Sequence, residues 1–98
     1  MAKSIMHSKS DGCLFCGNTY TEEHHCIHGT ANRKLSEKYG LKVYLCHEHH
    51  TGLSGVHFNP EMDLIVKQKA QEAFEKRYPD LGFMEIFGKN YKGENENE

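Results

Sequence analysis

Apolar and polar positions change rhythm several times along this chain. Residues 22–27, Glu-Glu-His-His-Cys-Ile, predict a short strand. Residues 41–45, Leu-Lys-Val-Tyr-Leu, alternate apolar and polar with β-branched and aromatic members, which predicts a second strand. Between them Gly29, Asn32 and Gly40 predict a loop over 28–40, with a turn of helix near Leu35 to Tyr39. Residues 46–51, Cys-His-Glu-His-His-Thr, follow the second strand at once as a short helix, which Gly52 and Gly55 would end.

A longer helix comes next. Asn59 suits the N-cap, Pro60 the first helical position, and Glu61 and Asp63 the positive end of the helix dipole. Met62, Ile65, Val66, Lys69, Ala70, Ala73, Phe74 and Arg77 recur at helical spacing and predict one buried stripe, the basic residues contributing their stems. Tyr78-Pro79 stops the helix. Asp80 is the expected cap of a further short helix bearing Leu81, Phe83, Met84 and Phe87, which Gly88 closes. These aromatics are expected in the core. Strands followed by helices give an α+β class.

At 98 residues the chain holds one domain. The expected division is a loose polar leader over 1–11, a domain over 12–92 and a disordered acidic tail over 93–98. No apolar run approaches the ~20 residues of a membrane span, so no membrane partner is expected. The first ten residues lack an apolar stretch with a small-residue cleavage site, so no secretory signal is expected either. The expected compartment is therefore reducing, and the four cysteines are poor disulfide candidates.

Net charge is −2, but Glu94, Glu96 and Glu98 of the tail carry that sign. Arg33, Lys34, Lys38 and Lys42 lie within ten residues with only Glu37 opposing them. Such a patch suits phosphates; its plainer reading is a solvated lysine-rich loop.

Cysteine and histidine clustering changes the picture most. Six of the eight histidines (His24, His25, His28, His47, His49, His50) fall within 27 residues, and the four cysteines lie between positions 13 and 46. Cys13-x-x-Cys16-Gly17 has the spacing of a zinc knuckle, where two thiolates grip one ion and a glycine permits the turn. Cys46-x-x-His49 is a second half-site. Cys13, Cys16, Cys46 and His49 thus make a Cys3His set for a structural Zn2+. That set leaves His24, His25 and His50 unused. Adjacent strand residues point to opposite faces, so His24 and His25 cannot simply be two ligands of one ion. Cys26 is expected in the core and His28 in the loop. His57, just before the long helix, is a candidate phosphate contact or further metal ligand.

Glu23-His24-His25 and Leu45-Cys46-His47-Glu48-His49-His50, with Cys13-x-x-Cys16 upstream, resemble the ββα-metal finger of HNH endonucleases over residues 13–57. With Asn32-Arg33-Lys34 and Gly55-Val56-His57-Phe58-Asn59, the pattern is similar to small HNH proteins of bacteriophages and prophages, some of them linked to recombination. The resemblance implies a zinc-stabilised ββα-metal finger with a C-terminal helical extension over 59–88. It implies His25 as general base, His24 and His50 as ligands of a catalytic divalent ion (Mg2+, Mn2+, Ni2+ or Zn2+), and Asn32 in place of the family's middle Asn. Leu41 stands at that Asn's usual distance from Leu45-Cys46. DNA is the implied partner, the bacterial host cytoplasm the implied location, and a homodimer would let so small an enzyme reach both strands.

The expected activity is metal-dependent hydrolysis of DNA phosphodiesters. The alternatives are a zinc-stabilised nucleic-acid-binding or protein-binding module without catalysis, and a phage structural or assembly adaptor.

Overall fold

The computed structural model describes residues 3–92; the expected acidic tail lies outside the described residues. The fold is a small α+β arrangement. Two antiparallel strands, β1 (Glu22–His25) and β2 (Lys42–Leu45), form its sheet. Four α-helices accompany them among the described residues: α1 (Thr30–Tyr39), α2 (His47–His50), α3 (Pro60–Arg77) and α4 (Phe83–Phe87), with a short 3-10 turn at Lys9–Asp11.

The strand register decides what each face carries. Glu22 pairs with Leu45, Glu23 with Tyr44, His24 with Val43 and His25 with Lys42. Cross-strand partners share a face and neighbours alternate. Glu22, His24, Val43 and Leu45 therefore share one face; Glu23, His25, Lys42 and Tyr44 share the other.

The segment expected as a loop over 28–40 is mostly helix α1. Its apolar signal is thin, because only Leu35 and Tyr39 pack against the core from it. What fixes it is polar. The Ser36 hydroxyl, fully buried, donates to the Ile27 carbonyl at 2.8 Å and accepts from the Ile27 N–H at 3.1 Å. Gly40 then ends the helix at φ 75° and ψ 28°, a left-handed conformation that glycine adopts without strain. A Cβ there would also collide with the Lys3 carbonyl.

Within the expected loose leader over 1–11, residues 4–7 are half-buried and bonded to the fold, whereas 8–11 are exposed. Ser4 Oγ donates to the Lys42 carbonyl at 2.6 Å, the Ile5 N–H to the Gly40 carbonyl at 2.9 Å, and the Tyr44 N–H to His7 Nδ1 at 3.0 Å. This segment lies along the open edge of β2, where unpaired strand groups need partners.

α3 starts where the sequence places it. The Asn59 side chain accepts from the N–H groups of Glu61 and Met62. Its buried stripe is narrower than expected: Val66, Ala70, Gln71 and Phe74 are buried, whereas Ile65 is exposed beside Leu64. α4 is capped by Gly82 rather than Asp80. Of its expected core residues Phe83 and Phe87 are buried, while Leu81 and Met84 face solvent. Phe74, Tyr39, Tyr78, Phe83 and Phe87 form an aromatic cluster with ring centroids 4.7–6.3 Å apart.

Candidate metal centres

Among the described residues, three groups of ligating side chains converge. The first is Cys13, Cys16, Cys46 and His49, whose donor atoms all lie within 4.8 Å of one another. Cys13 and Cys16 come from a tight turn in which the Gly17 N–H donates to the Cys13 carbonyl at 2.8 Å. Gly17 has φ 80°, as the knuckle spacing demands. Cys46 is the N-cap of α2, which brings His49 one turn on to the same side.

Cys16 Sγ lies 3.7 Å from Cys46 Sγ, and His49 Nδ1 lies 3.6 Å from Cys13 Sγ and 3.2 Å from Cys46 Sγ. An ion held tetrahedrally at ~2.3 Å from sulfur sets S···S edges of ~3.8 Å, so the group has the size of a structural metal site such as zinc. The thiols alone do not share this space comfortably. Burial works to raise the Cys13 thiol, yet backbone N–H groups of the two knuckles outweigh it and hold Cys13 at about 6. At Cys16 the Asn18 backbone pulls downward, but desolvation and the two neighbouring thiols push it above the ordinary thiol value. One thiolate is welcome and a second is resisted, which a divalent cation reverses.

The second group is His24, His50 and His57, again with donors within 4.8 Å. His24 comes from β1, His50 from the end of α2, and His57 from the turn that returns toward α3. That turn is closed by the N–H groups of Val56 and His57 donating to the carbonyls of His49 and His50. The His24 ring lies 5.2 Å from that of His50 and 5.3 Å from that of His57, and the His50 and His57 Nε2 atoms are 3.2 Å apart.

Two features of this trio bear on a ligand. His50 Nδ1 is 2.7 Å from Glu22 Oε1. A carboxylate only accepts, so Nδ1 carries the hydrogen, and in the neutral ring Nε2 holds the lone pair. Carboxylates placed behind metal-binding imidazoles do the same. Hydrogen bonding to His50 and His47 holds the Glu22 carboxyl below its usual range. His24 is 3% exposed, and its Nε2 has no hydrogen-bond partner. Burial, then the charges of His50, His57 and His28, push His24 down to about 3, so the ring is neutral and able to ligate. Burial and the neighbouring imidazoles move His57 in the same direction.

The third group, Glu23, His25 and Glu37, occupies the other face of the sheet. Its cation is already present in the chain. Lys42 Nζ lies 3.1 Å from Glu23 Oε2 and 3.3 Å from Glu37 Oε1, with its side chain only 3% exposed. The two carboxylates overcome desolvation and raise the Lys42 ammonium above its ordinary value. His25 Nε2 is 2.9 Å from Glu37 Oε1, and this bond leads the lowering of the Glu37 carboxyl.

These positions change several expectations. Lys42, expected on the phosphate-facing patch, is instead buried and locked between the Glu23 and Glu37 carboxylates. His25 is not brought to the His24, His50 and His57 trio, because the pleat turns it to the opposite face. Asn32 lies on α1, its Nδ2 donating to the Phe87 carbonyl at 3.4 Å. Arg33, Lys34 and Lys38 are exposed on α1. Cys26 is fully buried and takes no part in the thiol cluster; burial pushes its thiol up. His28 is not a bare loop residue: its Nε2 meets both Asp63 carboxylate oxygens at 3.2 and 3.4 Å. Glu22, Glu37 and Asp63 were not signalled by spacing, since each acts on a histidine 12 to 35 residues away.

No family model matches this chain, and no curated protein or solved structure matches it either.

Proposed function

We propose that this protein is a metal-dependent endonuclease of HNH type, built on a zinc-stabilised ββα-metal finger: β1, β2 and α2. Cys13, Cys16, Cys46 and His49 hold a structural Zn2+. His24, His50 and His57 hold a second divalent ion, for which imidazole donors suit Mn2+, Ni2+ or Zn2+ better than Mg2+. The observation that carries the reading is the buried, unpartnered Nε2 of His24 beside two further imidazoles. A buried polar atom without a partner is costly, and a cation supplies one.

A phosphodiester resists attack because it is anionic and leaves behind a poor alkoxide. The ion, when bound, neutralises charge that develops on the phosphoryl oxygens. The chain's own residues do the rest. Glu22 fixes the His50 tautomer. Arg33, Lys34 and Lys38, spaced along exposed α1, hold the DNA backbone by charge.

The test is nicking of supercoiled plasmid by zinc-loaded protein with added Mg2+, Mn2+ or Ni2+, with EDTA as control. Metal-dependent nicking that is lost in His50→Ala supports the nuclease. DNA binding without nicking under any ion would leave a zinc-stabilised binding module. That second reading is favoured by the engagement of His25 and Asn32 away from the trio.

A further inference from the structure

His25 lies on the face of the sheet opposite the trio, so the attacking water of the proposed reaction is served best by a proton acceptor on the trio's own face. The face that carries the trio offers another imidazole. The His28 ring centroid lies 6.1 Å from that of His24 and 6.3 Å from that of His57. It stands outside the set of three whose donor atoms lie within 4.8 Å of one another, so it borders the centre without joining it.

Its partner determines its tautomer. Asp63 lies in the first turn of α3, and its carboxylate is also held by Lys67 Nζ at 2.9 Å. Both Asp63 oxygens approach His28 Nε2, at 3.2 and 3.4 Å. The carboxylate can only accept, so Nε2 carries the hydrogen, and in the neutral ring Nδ1 then holds the lone pair. A carboxylate that orients an imidazole in this way is the arrangement of general-base dyads. The His28 side chain is 44% exposed, against 16% for Asp63, so the base is open while its anchor is shielded. A cavity of about 200 Å³ lined by His28, His57, Phe58 and Asp63 opens beside it. At ~30 Å³ per water, that space admits a water and a phosphoryl group.

We propose that His28, oriented by Asp63, is the general base of this site. The inference rests on the nuclease reading above. The water oxygen forms a bond to phosphorus, and its proton passes to His28 Nδ1. The bridging P–O bond breaks and its electron pair leaves on the alkoxide oxygen, which takes a proton from solvent. His28 then returns its proton to bulk water.

The test uses the zinc-loaded full chain. Its first arm is plasmid cleavage with added Mn2+. His28→Ala, at an exposed position, should fold and should cut ~10²–10⁴-fold more slowly. Its second arm is binding of Co2+ at the trio, followed by absorption, which should be unchanged in His28→Ala. Its third arm is the imidazole ¹⁵N spectrum. It should show His28 protonated at Nε2 in the parent and shifted toward Nδ1 in Asp63→Asn, whose amide can donate to Nε2. A His28→Ala variant that cuts as fast as an active parent overturns the inference and leaves the nuclease standing. Loss of Co2+ binding in that variant would make His28 a ligand instead. An Nδ1-protonated His28 in the parent also overturns it. A parent that never cuts removes the nuclease reading and this base with it.

Discussion

His24 shows how one residue couples burial to pH. Burial, with the charges of the neighbouring imidazoles, pushes its folded ring down to about 3 from its ordinary 6.5. Between those values the unfolded chain binds the proton and the folded chain does not, so stability falls as pH drops through that window and is intact above it. At about 1.4 kcal/mol per unit, the loss by pH 3 has an upper bound of roughly 5 kcal/mol. His24→Phe keeps a ring without the base. A urea melt series from pH 7 to 3 should therefore show a shallower fall than the parent; parallel curves would refute the assignment. At this scale the sequence was half legible. Cys13, Cys16, Cys46 and His49 announce themselves by local spacing, and the structure gathers them. Lys42 was not legible, because its burial depends on Glu23 across the sheet and Glu37 on α1. The same holds for the His28–Asp63 pair, whose members are joined only by the docking of α3.

Among the elements, α1 departs most from its sequence pattern. Gly29 and Gly40 read as loop punctuation but stand at its two ends, as N-cap and C-cap. Its anchor is a hydroxyl rather than an apolar stripe, which periodicity does not register. Ser36→Ala should leave the Ile27 N–H and carbonyl without that partner and destabilise the fold by ~1–3 kcal/mol in equilibrium denaturation. A change within error would show that water replaces the hydroxyl. α3 was legible at its start because Asn59-Pro60 is a local signal. Its inner face was less so: Ile65 and Val66 are adjacent, and only the angle at which the helix docks selects Val66 for the core. The two strands were legible because alternation and β-branched residues agree over 41–45, and the register then fixes which histidine of the pair faces α2.

On the scale of the whole molecule, the core is thin, and the thiol–imidazole group ties the N-terminal turn to α2. In metal-assembled small domains much of the folding free energy is metal binding, on the order of 10 kcal/mol. Cys16→Ala should therefore yield a chain that is unfolded or insoluble; a soluble, cooperatively folding variant without zinc would refute a structural role for that ion. The exposed basic face of α1 gives a prediction about DNA. Replacing Arg33 and Lys34 by Ala should weaken binding and reduce the salt slope by ~0.9 per lost phosphate contact, read from affinity against salt. An unchanged slope would place the DNA elsewhere.

The central claim is that two ions occupy this small fold at separate places, one among thiolates and one among imidazoles. Anomalous diffraction from crystals of the zinc-containing protein grown with Mn2+, collected at the zinc and manganese edges, tests it most directly. The account predicts a zinc peak among Cys13, Cys16, Cys46 and His49, and a second peak bound by His24, His50 and His57. A single peak at the thiolates, with the three imidazoles empty at saturating Mn2+ and Zn2+, would contradict it.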